Sequence, residues 1–363
     1  DPADPPTNAD IEAHCRAQLA SYKCPKYLTL VDALPRNAAG KILKGRLRDE
    51  HATLLSYSAG PTDVALLDET IGTNLERTAS RYPDIEALVD VPSGRRWTYA
   101  ELNAEIDSLA RALMSFGIEK GDRVGVWAPN CPEWTMLQYA TAKIGAILVT
   151  INPAYRTHEL AYVLRHSAVR LLVSATEFKN SDYRAMVAEV RPELPDLAEV
   201  VFLDTEGWKR VGNRAALVPA AELRRRAESL TPGDAINIQY TSGTTGAPKG
   251  ATLSHRNILN NGYFVTDLIA FGPGDRLCIP VPFYHCFGMV MGNLAATSHG
   301  AAMVIPGPGF DPVASLTAVA QERCTSLYGV PTMFIAELAL PGFDGYDLTS
   351  LRTGIMAGSP CPE

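Results

Sequence analysis

The residues best suited to chemistry sit together in Tyr240-Thr241-Ser242-Gly243-Thr244-Thr245-Gly246-Ala247-Pro248-Lys249-Gly250. After Tyr240, every residue except Lys249 is small, hydroxylated, Gly or Pro. A backbone this bare can close its N–H groups around an anion. The hydroxyls of Thr241, Ser242, Thr244 and Thr245 add donors, and Lys249 adds a mobile positive charge on a long stem. Such a loop suits phosphate oxygens. It is not the usual P-loop, which needs Gly-Lys-Ser/Thr, because Pro248 precedes Lys249 and Gly250 follows it. A merely flexible Ser/Thr/Gly turn would not need a lysine framed by Pro and Gly directly after a strand.

Other stretches carry candidate groups. Pro280-Val281-Pro282-Phe283-Tyr284-His285-Cys286-Phe287-Gly288-Met289 puts aromatics and one histidine at a strand end, where ligands of α/β sheets bind. Read alone, Phe283, Tyr284 and Phe287 would be core and His285 a satisfied buried histidine. Leu34-Pro35-Arg36-Asn37-Ala38-Ala39-Gly40-Lys41-Ile42-Leu43-Lys44 delivers Lys41 from a Pro-led loop; read alone, Lys41 would be a surface residue.

Together these stretches resemble the adenylate-forming enzymes, which include acyl-CoA synthetases, luciferases and peptide-synthetase adenylation domains. YTSGTTGAPKG is similar to that family's phosphate loop, PRNAAGKILK to the closing motif PRxxxGKxxK, and YHCFGM to an aromatic-His-x-Phe-Gly segment. Leu327-Tyr328-Gly329-Val330-Pro331-Thr332-Met333-Phe334 and Met356-Ala357-Gly358-Ser359-Pro360 match as well. Their wording is closest to medium-chain fatty acyl-CoA synthetases.

The resemblance implies that Thr241, Ser242, Gly243, Thr244, Thr245, Gly246 and Lys249 bind ATP phosphates. It implies that Lys41 drives adenylation. It places His285, Phe287, Gly288, Gly329, Ala357, Gly358, Ser359 and Pro360 around the acyl chain and the adenylate, with His285 near the carboxylate and no metal ligand among them. Met289, Met291, Met333 and Met356 would suit an aliphatic guest, though Met fills ordinary cores as well. The implied reactants are a fatty acid, ATP and CoA, with Mg²⁺. The implied chemistry is acyl-AMP formation with loss of pyrophosphate, then displacement of AMP by the CoA thiol.

The elements that must position these groups read as α/β. Ala235 to Tyr240 alternates apolar side chains and predicts the strand that carries the phosphate loop. Asn8 is expected to cap a helix to about Leu19, and Tyr27–Val31 to form a strand. Thr73-Asn74 is expected to open a helix to Arg81. Ala87–Val89 and Arg95–Trp97 flank Pro92-Ser93-Gly94 as a hairpin, and Thr98-x-x-Glu101 is a capping box. Strands and helices then alternate from Val124 to Ser174 and again to Ala357. That rhythm predicts doubly wound, mostly parallel sheets of a large domain, beside a fragment of a small α+β domain. The expected boundaries are 1–55 for the fragment with Lys41, 56–71 for a linker, and 72–363 for part of the large domain.

Composition sets limits. The 363 residues are 46% hydrophobic and 20% charged with net charge −7, ordinary for a globular chain and no nucleic-acid surface. Seven dispersed cysteines without CxxC predict reduced thiols and a cytoplasmic setting.

The resemblance covers nearly the whole chain, but in two pieces of exchanged order. The family's Tyr-Gly-x-Thr-Glu motif, with its Mg²⁺-binding Glu, and its Thr-Gly-Asp and hinge motifs do not occur in this sequence. A truncated circular permutation, a junction of tandem modules and a fusion artefact all give this order, and a second chain or module supplying the missing motifs is one expected partner. Three functional readings stay open: a fatty acyl-CoA ligase, an inactive or split nucleotide-binding fragment, and activation of another carboxylic acid.

Overall fold

The computed structural model describes residues 6–18, 28, 31, 33–36, 42, 47, 63–241 and 248–360. It divides into two compact units, Asp1–Ala65 and Leu66–Glu363. In the first unit α1 spans Asn8–Gln18. Its cap is Thr7 and not Asn8. The Asp10 N–H donates to Thr7 Oγ1 at 3.2 Å, and the Thr7 N–H donates to Asp10 Oδ2 at 2.8 Å. A carboxylate at a helix start adds a favourable charge to these reciprocal bonds, which frees Asn8 to donate to the Leu28 carbonyl at 3.2 Å. Lys41, and all but isolated residues of the expected strand 27–31 and helix 42–50, lie outside the described residues.

The second unit begins at Leu66, six residues before the expected Gly72. Leu67 exchanges backbone bonds with the Asn260 carboxamide at 2.7 and 3.0 Å. Helix α2 (Ile71–Arg81) is capped by Thr70, earlier than the expected Thr73-Asn74, because extended Thr70 lets its hydroxyl accept the Thr73 N–H at 3.1 Å. The next orphan donor, Ile71 N–H, goes to His255 Nδ1 at 3.2 Å. His255 is fully buried, and burial lowers its pKa to about 4.

The hairpin β1 (Glu86–Asp90) and β2 (Arg95–Thr98) leads through the Thr98–Glu101 capping box into α3 (Tyr99–Ser115), as expected. Then follow β3 (Arg123–Trp127), α4 (Pro132–Ile144), β4 (Ile147–Thr150), α5 (Thr157–His166) and β5 (Val169–Ser174). A small hairpin of β6 (Glu177–Phe178) and β7 (Ser181–Asp182) precedes α6 (Tyr183–Val190). The chain continues through β8 (Glu199–Phe202), α7 (Glu206–Arg214), α8 (Ala220–Glu228), β9 (Ala235–Thr241), β10 (Lys249–Ser254) and α9 (His255–Asp267). After β11 (Arg276–Cys278) comes a helical run from Cys286 to His299, π-helical over Met289–Leu294. The last elements are β12 (Ala302–Ile305), α10 (Pro312–Glu322), β13 (Ser326–Gly329), α11 (Pro331–Leu338) and β14 (Thr353–Met356).

The strands form two six-stranded sheets, ordered β14-β13-β11-β12-β1-β2 and β10-β9-β4-β3-β5-β8. Pairing is parallel throughout except at the edge strands β2 and β10. The expected α/β class with mostly parallel sheets is thus what the chain forms. The chain starts the first sheet, builds the second, then returns, so that β12 docks beside β1 with Leu88 opposite Met303.

Helix α4 is buried along its whole length, in one core cluster with Val124 and Leu148 of the second sheet and Leu88, Leu277 and Met303 of the first. A helix hydrophobic on every side needs such a position. Its one long cation, Lys143, is 1% exposed. The ammonium donates to Asp107 at 2.5 Å, Asn103 at 2.8 Å and Glu76 at 3.0 Å, so α2, α3 and α4 share one buried charge. No described helix is long and apolar enough to cross a membrane.

A second buried ionisable group is less well served. Glu337 on α11 is 3% exposed and has no hydrogen-bond partner among the described residues. Burial raises its pKa from 4.5 to about 7. The folded chain therefore keeps a proton that the unfolded chain gives up, and stability falls as pH rises from 4.5 to about 7. Glu337→Gln should remove that slope. Urea unfolding from pH 4.5 to pH 8 should show the variant gaining on the parent by on the order of 2 kcal/mol at the upper end. Parallel curves would mean that Glu337 is not held protonated.

Candidate active site

The carboxyl ends of both sheets meet at one place, and buried carboxamides hold them there. Asn130 follows β3 in the second sheet and is 6% exposed. Its Nδ2 donates to the Val281 carbonyl at 2.9 Å, and its Oδ1 accepts the Phe283 N–H at 2.8 Å. Residues 281 and 283 belong to the segment leaving β11 in the first sheet. Gln239, on β9, donates from Nε2 to the Tyr284 carbonyl at 2.5 Å. The other atom of that carboxamide, Oε1, is buried without a partner among the described residues.

These bonds present the turn that follows. The Gly288 N–H donates to the His285 carbonyl at 3.0 Å, and His285 Nδ1 accepts the Phe287 N–H at 3.1 Å. Acceptance at Nδ1 places the proton of the neutral ring on Nε2, which stays a donor. His285 is exposed, so its reading as a buried core histidine fails, while Phe283 and Phe287 are buried as that reading required. Partial burial of the ring lowers the His285 pKa, favouring this neutral donor. Gly288 has no room for a side chain, since a Cβ there would lie 2.4 Å from the Pro282 carbonyl oxygen.

The other predicted pocket residues arrive on β13 and β14. Phe287 stacks on Tyr328 with centroids 5.8 Å apart. Gly329 ends β13, and its carbonyl accepts the Ala357 N–H at 3.2 Å. Gly358 follows with φ +92°, a conformation glycine adopts without strain, and Gly358, Ser359 and Pro360 are exposed. The structure thus brings His285, Phe287, Gly288, Gly329 and Ala357 onto one chain of contacts. Beside them, Asn130, Asn152, Phe178, Tyr284, Phe310 and Met333 line a cavity of about 220 Å³.

The phosphate stretch runs from a strand into a strand. Thr241 closes β9, Lys249 opens β10, and the two are paired across the ladder, both exposed. The next helix starts only at His255, capped by Ser254. Ser242, Gly243, Thr244, Thr245 and Gly246 lie outside the described residues, as does Lys41. Sequence reading missed Asn130 and Gln239. Asn130 carried one usable signal, a polar residue framed by Pro129 and Pro132 just past a strand.

Asn130→Ala should cost about 2–3 kcal/mol in chemical unfolding, because it strands a buried N–H and a buried carbonyl. A loss below about 0.5 kcal/mol would mean that the segment after β11 is held by other bonds.

A sequence model of the family described as AMP-binding enzyme matches residues 75–363, and one described as AMP-binding enzyme C-terminal domain matches residues 1–41. The chain is 44% identical over 319 residues to acyl-CoA ligase SID4 of Ajellomyces capsulatus, covering 85% of this chain and 54% of that protein. It is 41% identical over 333 residues to the mouse medium-chain acyl-CoA ligase ACSF2, mitochondrial, with the same 85% and 54% coverage. Its fold matches the N-terminal domain of FACL13 from Mycobacterium tuberculosis with TM-score 0.72 at 27% identity, over 81% of this chain and 71% of that one. The chain thus spans about half the length of the curated relatives it matches. The matched pieces stand in the exchanged order read from the motifs, with the C-terminal domain's segment first. The chain belongs to the AMP-binding, adenylate-forming enzyme family.

Proposed function

We propose that this chain carries the ATP- and acid-binding machinery of a fatty acyl-CoA ligase. The observation that carries the proposal is the bond from Gln239, two residues before Thr241 on β9, to the Tyr284 carbonyl beside His285, in a chain over 40% identical to proteins named acyl-CoA ligases. In the first step a carboxylate oxygen attacks the α-phosphorus of ATP, and pyrophosphate leaves. In the second the CoA sulfur attacks the acyl carbon, and AMP leaves. No covalent enzyme intermediate is needed, so no nucleophilic Cys or Ser is called for.

Each residue has a task in this reading. Lys249, Thr241 and the residues 242–246 between them grip the phosphates. His285 donates from Nε2 toward the carboxylate. Phe287, Gly288 and Gly329 shape the wall, and Gly358, Ser359 and Pro360 lie along the adenylate. Lys41 supplies the cation that meets charge building on the α-phosphate. Residues 1–55 are then a fragment of the family's mobile domain, 56–71 a linker and 72–363 part of the large domain, which the matches to 1–41 and 75–363 support. The compartment assigned is cytoplasmic, on the dispersed cysteines.

The family implies Mg²⁺. Among the described residues there is no group of three or more His, Cys, Asp or Glu side chains that could hold a cation, and no step is routed through the ion. The Tyr-Gly-x-Thr-Glu motif with its Mg²⁺-binding Glu does not occur in this sequence, which motivates a second reading, a chain that binds nucleotide without turning it over. Titration calorimetry with ATP tests what both readings share. Lys249→Ala should lose about 1.5–3 kcal/mol of affinity, the worth of a charge-assisted contact. Equal affinity in parent and variant would remove the hairpin from the site. Pyrophosphate release with ATP, Mg²⁺ and a panel of fatty acids then separates the readings. Turnover that falls about a hundredfold in Lys41→Ala supports the ligase, and no release by the parent supports the binding-only chain.

A further inference from the structure

The hairpin of β9 and β10 sits at the edge of its sheet, so among the described residues the outer edge of β10 has no strand beside it. Ladder bonds alone would leave its tip free to splay. Helix α5 supplies what the missing strand does not. Tyr162 and His166 lie one turn apart on the same helical face, and their rings stack with centroids 5.3 Å apart and planes 13° from parallel. The Tyr162 hydroxyl donates to the Pro248 carbonyl at 3.0 Å. His166 Nδ1 lies 2.8 Å from the Tyr240 hydroxyl. Tyr240 precedes Thr241 on the strand side and Pro248 precedes Lys249 on the loop side, so one helical turn holds the chain next to both residues that would meet phosphate. The Tyr240 ring stands edge-on to both partners, at 6.5 Å and 5.9 Å. It also backs Gly250, where a Cβ would lie 3.3 Å from its Cζ and 2.9 Å from Ile238 Cγ2.

We propose that Tyr162 and His166 are positioning residues that preset the separation and direction of Thr241 and Lys249. Neither touches the nucleotide. They act by lowering the ordering cost that phosphate binding would otherwise meet. The proposal rests on the reading that this hairpin takes ATP phosphates, and it adds a requirement outside the loop and outside every motif of that reading.

Tyr162→Phe keeps the ring and its stack on His166 and deletes only the donor to Pro248. His166→Phe keeps the stack and deletes the bond to Tyr240. Backbone amide exchange in the ligand-free chain is read over hairpin residues 235–254, beside melting temperature and calorimetric affinities for ATP and AMP. Each variant should exchange about tenfold faster at the hairpin than the parent, a loss the size of one hydrogen bond, with unchanged protection in β3 and α4. The dissociation constant for ATP should rise about threefold to tenfold, while that for AMP, which lacks the β- and γ-phosphates, should stay put. Unchanged exchange overturns the clamp. So does an equal loss of ATP and AMP affinity with a lower melting temperature, which marks a general packing role. If the parent binds no ATP, the phosphate reading falls by itself, and the exchange rates alone still decide whether α5 fixes the hairpin.

Discussion

The side chain of Asn130 joins the carboxyl end of one sheet to the segment that leaves the other. Strands of separate sheets share no ladder, so nothing in their own hydrogen bonding sets how one carboxyl end faces the other. Asn130 does this with a donor and an acceptor on one rigid carboxamide, both used on the segment leaving β11. The choice of segment matters. Pro280 and Pro282 have no N–H, so few donors remain to be satisfied in a stretch that leaves its sheet while still buried. Gln239 repeats the device one strand further along, on the Tyr284 carbonyl. The turn bearing His285 inherits its position from these bonds.

Behind that face, α4 serves as the common floor of both sheets. Its complete burial demands apolar or satisfied side chains at every position. Lys143 meets the demand by carrying its charge to Asp107, Asn103 and Glu76. A buried amine with those partners is costly to break and gains little over a well-packed apolar residue, so its value lies in specifying how three helices seat together. The close approach of Gly72, where a Cβ would lie 3.0 Å from Lys143 Cγ, shows how tightly α2 is seated on it.

Much of this was readable from residue order. The Thr98–Glu101 box and the alternation into β9 are local signals, and both formed where their own residues predicted. What escaped reading is non-local. Strand β10 begins inside the phosphate motif, lies on an edge and is largely exposed, so it has no buried stripe to announce it. Strand β12 is a four-residue buried run that gains its meaning only by docking between β11 and β1. The exposure of His285 could not be inferred from its aromatic neighbours, because Phe287 turns inward to Tyr328 while the histidine ring serves its own backbone. Asn130 and Gln239 are single polar residues with no period at all, and their partners lie over forty positions away.

The strand that follows the phosphate loop also decides how an anion would be held. In a strand–loop–helix cradle, the helix contributes a permanent partial positive charge from its aligned peptide dipoles. A loop between antiparallel strands has no such source, since strand dipoles oppose and cancel. Attraction at this tip then falls to individual N–H groups, hydroxyls and the exposed ammonium of Lys249. Ionic screening over about 10 Å at 0.1 M salt acts fully on such a charge and only weakly on a buried one. An anion bound at this hairpin would therefore be held by contacts of short electrostatic range, and its affinity would track the ionic strength around it.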